Sequence, residues 1–234
     1  MGSSYFYLEF LLAWISLLKD AGYRNPALFA LEYTLVPDAV YPTQLQQTIT
    51  GYNHVLSIIG DASRICVGGD SAGATLILSL LLHIANSPDY EKRRPGLATL
   101  ISPWATLVSP RNRNTRSDYL NAESLQLYGS QYAGSKAGLD DPLVSPGTCK
   151  DTSWWMRASP SRGFFILYGS EEVFGPETRS LIQLLRKSGC YVVFREEQGS
   201  IHAWPVAALF LSDSKAERKK GVVSITETIY KRLV

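Results

Sequence analysis

Histidine is scarce in this chain of 234 residues, with three copies at His54, His83 and His202. A mechanism that needs an imidazole therefore has few places to take it from. Cysteine is equally scarce, and Cys66, Cys149 and Cys190 lack the paired spacings that bind zinc or build a disulfide framework. Their odd number leaves at least one thiol unpaired within the chain, which fits a reducing, cytoplasmic setting. No apolar run approaches the roughly 20 residues that a membrane-spanning helix requires. The run from Phe10 to Leu18 has Glu9 at its edge, no basic residue before it and no small-residue cleavage site after it, so it does not read as a signal peptide. An anchor or signal upstream of Met1 stays open. Charge bias is missing too: 23 basic and 21 acidic residues leave +2, too mild a balance to argue for nucleic acid. The clusters Lys92-Arg93-Arg94, 111–116 and Arg218-Lys219-Lys220 read as solvated faces.

What the chain has in quantity is apolar residues, 45% of the total, enough for one globular domain with a sizeable core. The most informative stretch is Arg64 to Ala74 with the apolar run to Ile84 behind it. An apolar strand enters Gly69-Asp70-Ser71-Ala72-Gly73 and leaves directly into a helix former, the strand–turn–helix context of a nucleophile elbow. Ser71 is the candidate nucleophile, and the flanking glycines are expected because side chains there would collide with strand and helix. The Ala72 N–H, at the mouth of the new helix, can donate to an oxyanion. The plain alternative is a glycine-rich turn with a serine N-cap.

Helical spacing of apolar residues predicts a largely buried helix over Ser3 to Asp20 and an amphipathic one from Pro42 through Ile59. Further helices are expected over Ala72 to Asn86 and Pro176 to Ser188, with helical segments after His202. Strands are expected at Ala27–Tyr33, Arg64–Gly68, Leu97–Ile101, Gly163–Tyr168 and Tyr191–Phe194. Strands alternating with helices imply a doubly wound, mostly parallel α/β sheet in a single domain. Residues 103–160 break the alternation, with one helix between Ala122 and Tyr132. So long an excursion reads as a cap or lid-like insert, or as a packed surface insertion with no role toward substrate.

A serine hydroxyl needs a positioned base. His54 and His83 fall on predicted helices, where a surface or core histidine is ordinary. His202 lies in a loop after the last strand, where the chain order serine, acid, histidine puts the base. The acid belongs after the penultimate strand, where Glu171 and Glu172 stand; Glu172 is preferred, with Glu171 as its reserve.

With these residues in place, the chain resembles the hormone-sensitive-lipase-like branch of the α/β-hydrolases, particularly its fungal esterase and deacetylase-like members. The resemblance rests on Gly68-Gly69-Asp70-Ser71-Ala72-Gly73-Ala74, the turn Tyr33-Thr34-Leu35-Val36-Pro37-Asp38, the run Glu172 to Glu177, and His202-Ala203-Trp204. It implies an α/β-hydrolase fold and hydrolysis of a small-molecule carboxylic ester, with no metal or cofactor. One signature of that family is absent. Its His-Gly-Gly-Gly-type oxyanion loop belongs before the first helix, whereas this chain opens at Met1-Gly2-Ser3-Ser4, already at that helix. The expectation is an N-terminally truncated hydrolase lacking its early strands. By the family's topology, a strand is then missing between Ala27–Tyr33 and the Ser71 strand. Either these two close up and shift the elbow, or the chain is poorly stable. The aromatic insert points to an apolar ester group. The competing expectation is a catalytically impaired hydrolase-fold protein that binds a small apolar ligand or a partner. Oligomeric state is not legible.

Overall fold

The computed structural model describes residues 4–233. In chain order it contains α1 (Ser4–Asp20), α2 (Thr43–Ile59), β1 (Cys66–Asp70), α3 (Ala72–Ala85), α4 (Tyr90–Arg93), β2 (Leu97–Ile101), α5 (Ala122–Ala133), α6 (Thr152–Ala158), β3 (Phe164–Gly169), α7 (Gly175–Lys187), β4 (Val192–Glu197), α8 (Trp204–Leu211) and α9 (Lys215–Leu233). Among the described residues the four strands form one parallel sheet in the order β1-β2-β3-β4. Cys66 aligns with Leu97 at one end of the register and Gly169 with Glu197 at the other.

The two-residue period of a strand sorts the core into two layers. Ala98, Leu100, Phe164, Ile166 and Tyr168 face α2, α3, α6 and α7, while Leu97, Ile101, Phe165 and Leu167 face α1, α8 and α9. Both faces are thus covered, as an all-parallel sheet requires, and β2 and β3 are buried along their whole length. Helix α3, buried from Ala74 through Leu82, is apolar all round because sheet, α2 and α6 enclose it. The doubly wound α/β sheet expected from the alternation is the one observed. All three cysteines are free thiols, and among the described residues no helix is long and apolar enough to cross a membrane.

The 103–160 stretch holds a second helix, α6, beside the one expected, and two further expectations fail in the N-terminal part of the fold. Ala27–Tyr33 is not a strand. Its β-propensity is real, but a strand exists only when its backbone groups find a partner, and no described residue lies in register beside it. It does not close onto β1, which becomes an edge of the sheet with Gly68 exposed. The following turn is held by side chains instead: Gln44 Nε2 donates to Thr34 O at 3.0 Å and Ala39 O at 2.9 Å, and the Thr34 N–H donates to Gln47 Oε1 at 2.9 Å. Nor is α1 largely buried. Phe10 and Leu18 reach the core, whereas Tyr5 is 85% exposed and Leu12 58%. The helix rests on α8 and α9 by one stripe, and nothing described covers the other. Ser3 lies outside the described residues.

Candidate functional site

Ser71 stands between β1 and α3 with φ 50° and ψ −116°. A side-chain-bearing residue held at positive φ costs on the order of 1–3 kcal/mol and persists only where its surroundings over-determine it. Here the Ser71 N–H donates to Ile101 O at 3.0 Å and the Trp104 N–H donates to Ser71 O at 3.2 Å. Gly69 is sterically obligatory, since a Cβ there would lie 2.5 Å from the carbonyl carbon of Gly73. Gly73 is not: a Cβ at this position meets nothing nearer than Asp70 Oδ1 at 3.9 Å, so the collision expected on both flanks exists on one. Ala72 is the first residue of α3, and its N–H is among the amides a helix start leaves without an intrahelical acceptor.

Glu172 lies in the loop after β3 and is 2% exposed. Its Oε2 accepts from Ser102 Oγ at 2.6 Å and from the Gly169 N–H at 3.1 Å. Oε1 is buried with no partner. Burial pushes this carboxyl up to about 8, with the two hydrogen bonds pulling the other way. Glu171 is only partly buried and accepts from the Ser170 hydroxyl at 3.2 Å. Of the two carboxylates, Glu172 is the one enclosed.

His202 lies in the loop after β4, 3% exposed, with Nδ1 buried and unpartnered. Burial holds its imidazole down to about 3. The ring packs edge-on against Phe174, centroids 5.1 Å apart, and against Tyr119 at 5.8 Å. Phe174 in turn stacks on Trp104. His54, exposed on α2, touches only the Phe29 ring among described aromatics, and His83 stands at the far end of α3 from Ser71. Neither joins the site.

The stretch from Ile101 to Trp104 links all three elements. Its ends bind the Ser71 backbone, and the fully buried Ser102, itself at φ 45°, donates to Glu172 while accepting the Ala203 N–H at 2.9 Å. Ser71, Glu172 and His202 are thereby gathered at the C-terminal end of the sheet, where ligands of parallel α/β sheets bind. Glu172 Oε1 and His202 Nδ1 are two complementary orphans not joined by a hydrogen bond. Asp70 is half-buried and accepts from the Tyr7 hydroxyl at 2.6 Å, which fixes the N-terminal end of α1 to the elbow.

Sequence reasoning missed Ser102, Tyr7 and Asp118. The single usable signal was the position of Ser102 immediately after a predicted strand. Asp118, from the 103–160 stretch, accepts backbone N–H groups from both the Glu172 and the His202 loops. Among the described residues no group of three or more His, Cys, Asp or Glu side chains is arranged to hold a metal ion.

Comparison with known proteins adds the following. A family model described as alpha/beta hydrolase fold matches residues 20–206. An acetyl-hydrolase of Streptomyces hygroscopicus is 32% identical over 197 residues, covering 81% of this chain and 60% of the relative. Steryl acetyl hydrolase 1 of Saccharomyces cerevisiae is 24% identical over 162 residues, covering 64% of this chain and 38% of the relative. The chain thus spans less than two thirds of the curated relatives it matches. A carboxyl esterase from the mycorrhizal fungus Tuber melanosporum superposes with a TM-score of 0.85 at 20% identity, covering 100% of this chain and 75% of that one, which speaks to the fold.

Proposed function

The chain belongs to the alpha/beta hydrolase fold family, and from that premise we propose that it is a serine carboxylic-ester hydrolase with Ser71 as nucleophile. The observation that carries this reading is the strained Ser71 backbone at a strand–helix elbow, with an enclosed carboxyl and an enclosed imidazole in the loops after β3 and β4. Ser71 Oγ attacks the ester carbonyl carbon as its proton passes to His202. The oxyanion is met by the Ala72 N–H, and collapse expels the alcohol, which takes the proton back from His202. Water repeats the sequence on the acyl-serine and releases the acid. Glu172 orients His202. Burial drives Glu172 toward its neutral acid and His202 away from imidazolium; the two atoms are unpaired as they stand, and a shift that brings the Nδ1 proton to Oε1 would offset both costs at once.

The substrate class is a small ester of an apolar alcohol with a short acyl group. Aromatic side chains around His202 and the acetyl-hydrolase names of the relatives support it. Residues 103–160 serve as the cap over this site, and their contacts to both loops support that role. No metal, cofactor or nucleic acid takes part in this scheme.

The second reading is a hydrolase-fold protein that binds an apolar ester without turning it over; the unpaired Nδ1 and Oε1 favour it. Labelling with a fluorophosphonate separates the two. The hydrolase reading expects one adduct on Ser71 that Ser71→Ala abolishes, together with release of acid from a short-chain aryl ester. Adduct formation that persists in Ser71→Ala overturns the assignment, and a wild-type chain that takes no label selects the binding reading.

A further inference from the structure

We propose that Asp118 is a positioning residue of this site, its carboxylate clamping the loops that carry Glu172 and His202 into one register. The proposal rests on the ester-hydrolase reading above and adds to it a residue from the 103–160 stretch, outside the sheet and its loops.

The carboxylate uses one oxygen for each loop. Oδ2 accepts the N–H of Val173, the residue that follows Glu172, at 2.8 Å, and Oδ1 accepts the N–H of His202 itself at 3.2 Å. Its neighbours extend the same grip. Thr115 Oγ1 donates to Glu171 O at 2.7 Å while accepting the Asp118 N–H at 3.1 Å, and the Tyr119 hydroxyl donates to His202 O at 3.3 Å. Three residues of the insert, Thr115, Asp118 and Tyr119, therefore hold the backbone on both sides of Glu172 and both polar groups of the His202 main chain.

The loops are already joined elsewhere. The Ser170 N–H donates to Glu197 O and the Glu171 N–H to Ser200 O, both at 3.0 Å, and Ser102 binds them from the core side. Those bonds fix the bases of the loops and one oxygen of Glu172. Asp118 alone among the described side chains takes an N–H from each loop tip, where acid and base sit. A carboxylate suits this because it offers acceptors on two oxygens and no proton, whereas an amide of the same shape offers one oxygen and turns an NH2 toward the other N–H. Asp118 is half-buried, so it keeps partial hydration while making charge-assisted bonds. Misplacement of a reacting group by about 1 Å costs on the order of 10²-fold in rate. Two tethers on His202 and its acid are the means of preventing such drift.

The test compares wild type with Asp118→Asn and Asp118→Ala, below their unfolding temperatures, by two independent readouts. Amide exchange over segments 171–176 and 199–204 is expected to rise on the order of tenfold in both variants. Fluorophosphonate labelling of Ser71 is expected to lose roughly 10–100-fold in its limiting rate constant, with the concentration giving half the limiting rate unchanged. Exchange that stays at the wild-type level overturns the clamp. Faster exchange with an unaltered limiting rate overturns its positioning role, as does a loss confined to the half-saturating concentration. A wild-type chain that takes no label overturns the ester-hydrolase reading, and the catalytic purpose of Asp118 with it, while the exchange result then reports on the tether alone.

Discussion

β3 and β1 are both short parallel strands that end in a candidate functional loop, yet they are built to different standards. All six residues of β3 are buried and it is paired on both sides, whereas β1, among the described residues, is paired on one side and exposes Gly68. The Glu172–His202 half of the site is accordingly packed and cross-bonded from three directions, by the loop bases, Ser102 and Asp118. The Ser71 half depends on α3 behind it and on the Ile101–Trp104 stretch beside it. Rigidity in this protein is thus graded across the sheet, and the nucleophile sits on the less supported side.

The sharpest way to break that comparison is to add one methyl group to each strand. At Gly169 a Cβ would lie 2.1 Å from Ser200 O, so Gly169→Ala is expected to destabilise by about 3 kcal/mol. At Gly68 the nearest atom is Thr99 O at 3.2 Å on an open edge, and Gly68→Ala is expected to cost about 1 kcal/mol or less. Urea unfolding of the two variants checks this, and equal costs would erase the distinction between the strands.

A smaller effect follows from the buried titrating pair. His202 falls from 6.5 to about 3 on folding, so the unfolded chain binds the extra proton and stability is lost as pH drops through 6.5. Glu172 rises from 4.5 to about 8, so the folded chain holds the extra proton and stability is lost as pH climbs from 4.5 through 8. The two slopes oppose each other between 4.5 and 6.5, and above 6.5 Glu172 acts alone. Between pH 6.5 and 8 the wild type is therefore expected to lose up to about 2 kcal/mol that Glu172→Gln does not lose. Identical losses in the two proteins would mean that Glu172 is already ionised and paired with His202. Smallest of all is the expected effect of Phe29→Ala. This side chain is 53% exposed in the irregular segment, and its removal is expected to change stability by less than about 0.5 kcal/mol in the same urea assay.

The legible parts of the fold were those whose signal is local. The apolar runs at Leu97–Ile101 and 163–168, the amphipathic period of 43–59 and the glycines around Ser71 each declare their own conformation, and the observed elements lie within a few residues of them. Ala27–Tyr33 was misread because propensity is local whereas pairing is not. The burial of α1 was overestimated for a related reason, since an apolar stripe tells which residues seek cover and not whether cover arrives. In the candidate site, Ser71, Glu172 and His202 are proposed from chain order and loop position. Ser102 and Asp118 are not, because a serine after a strand and an aspartate in a polar loop are commonplace until the fold carries them 55 or more residues along the chain to their partners.

The Ser102 hydroxyl has a further meaning for anyone exchanging loops between homologues of this protein. One oxygen serves as the common socket for two loops that are about 30 residues apart in sequence, giving its proton to the first and its lone pair to the second. A transplanted segment after β3 that lacks a carboxylate of the right reach leaves the Ser102 proton without its acceptor, even though the segment after β4 is untouched. The unit of exchange is therefore the pair of loops together with the serine.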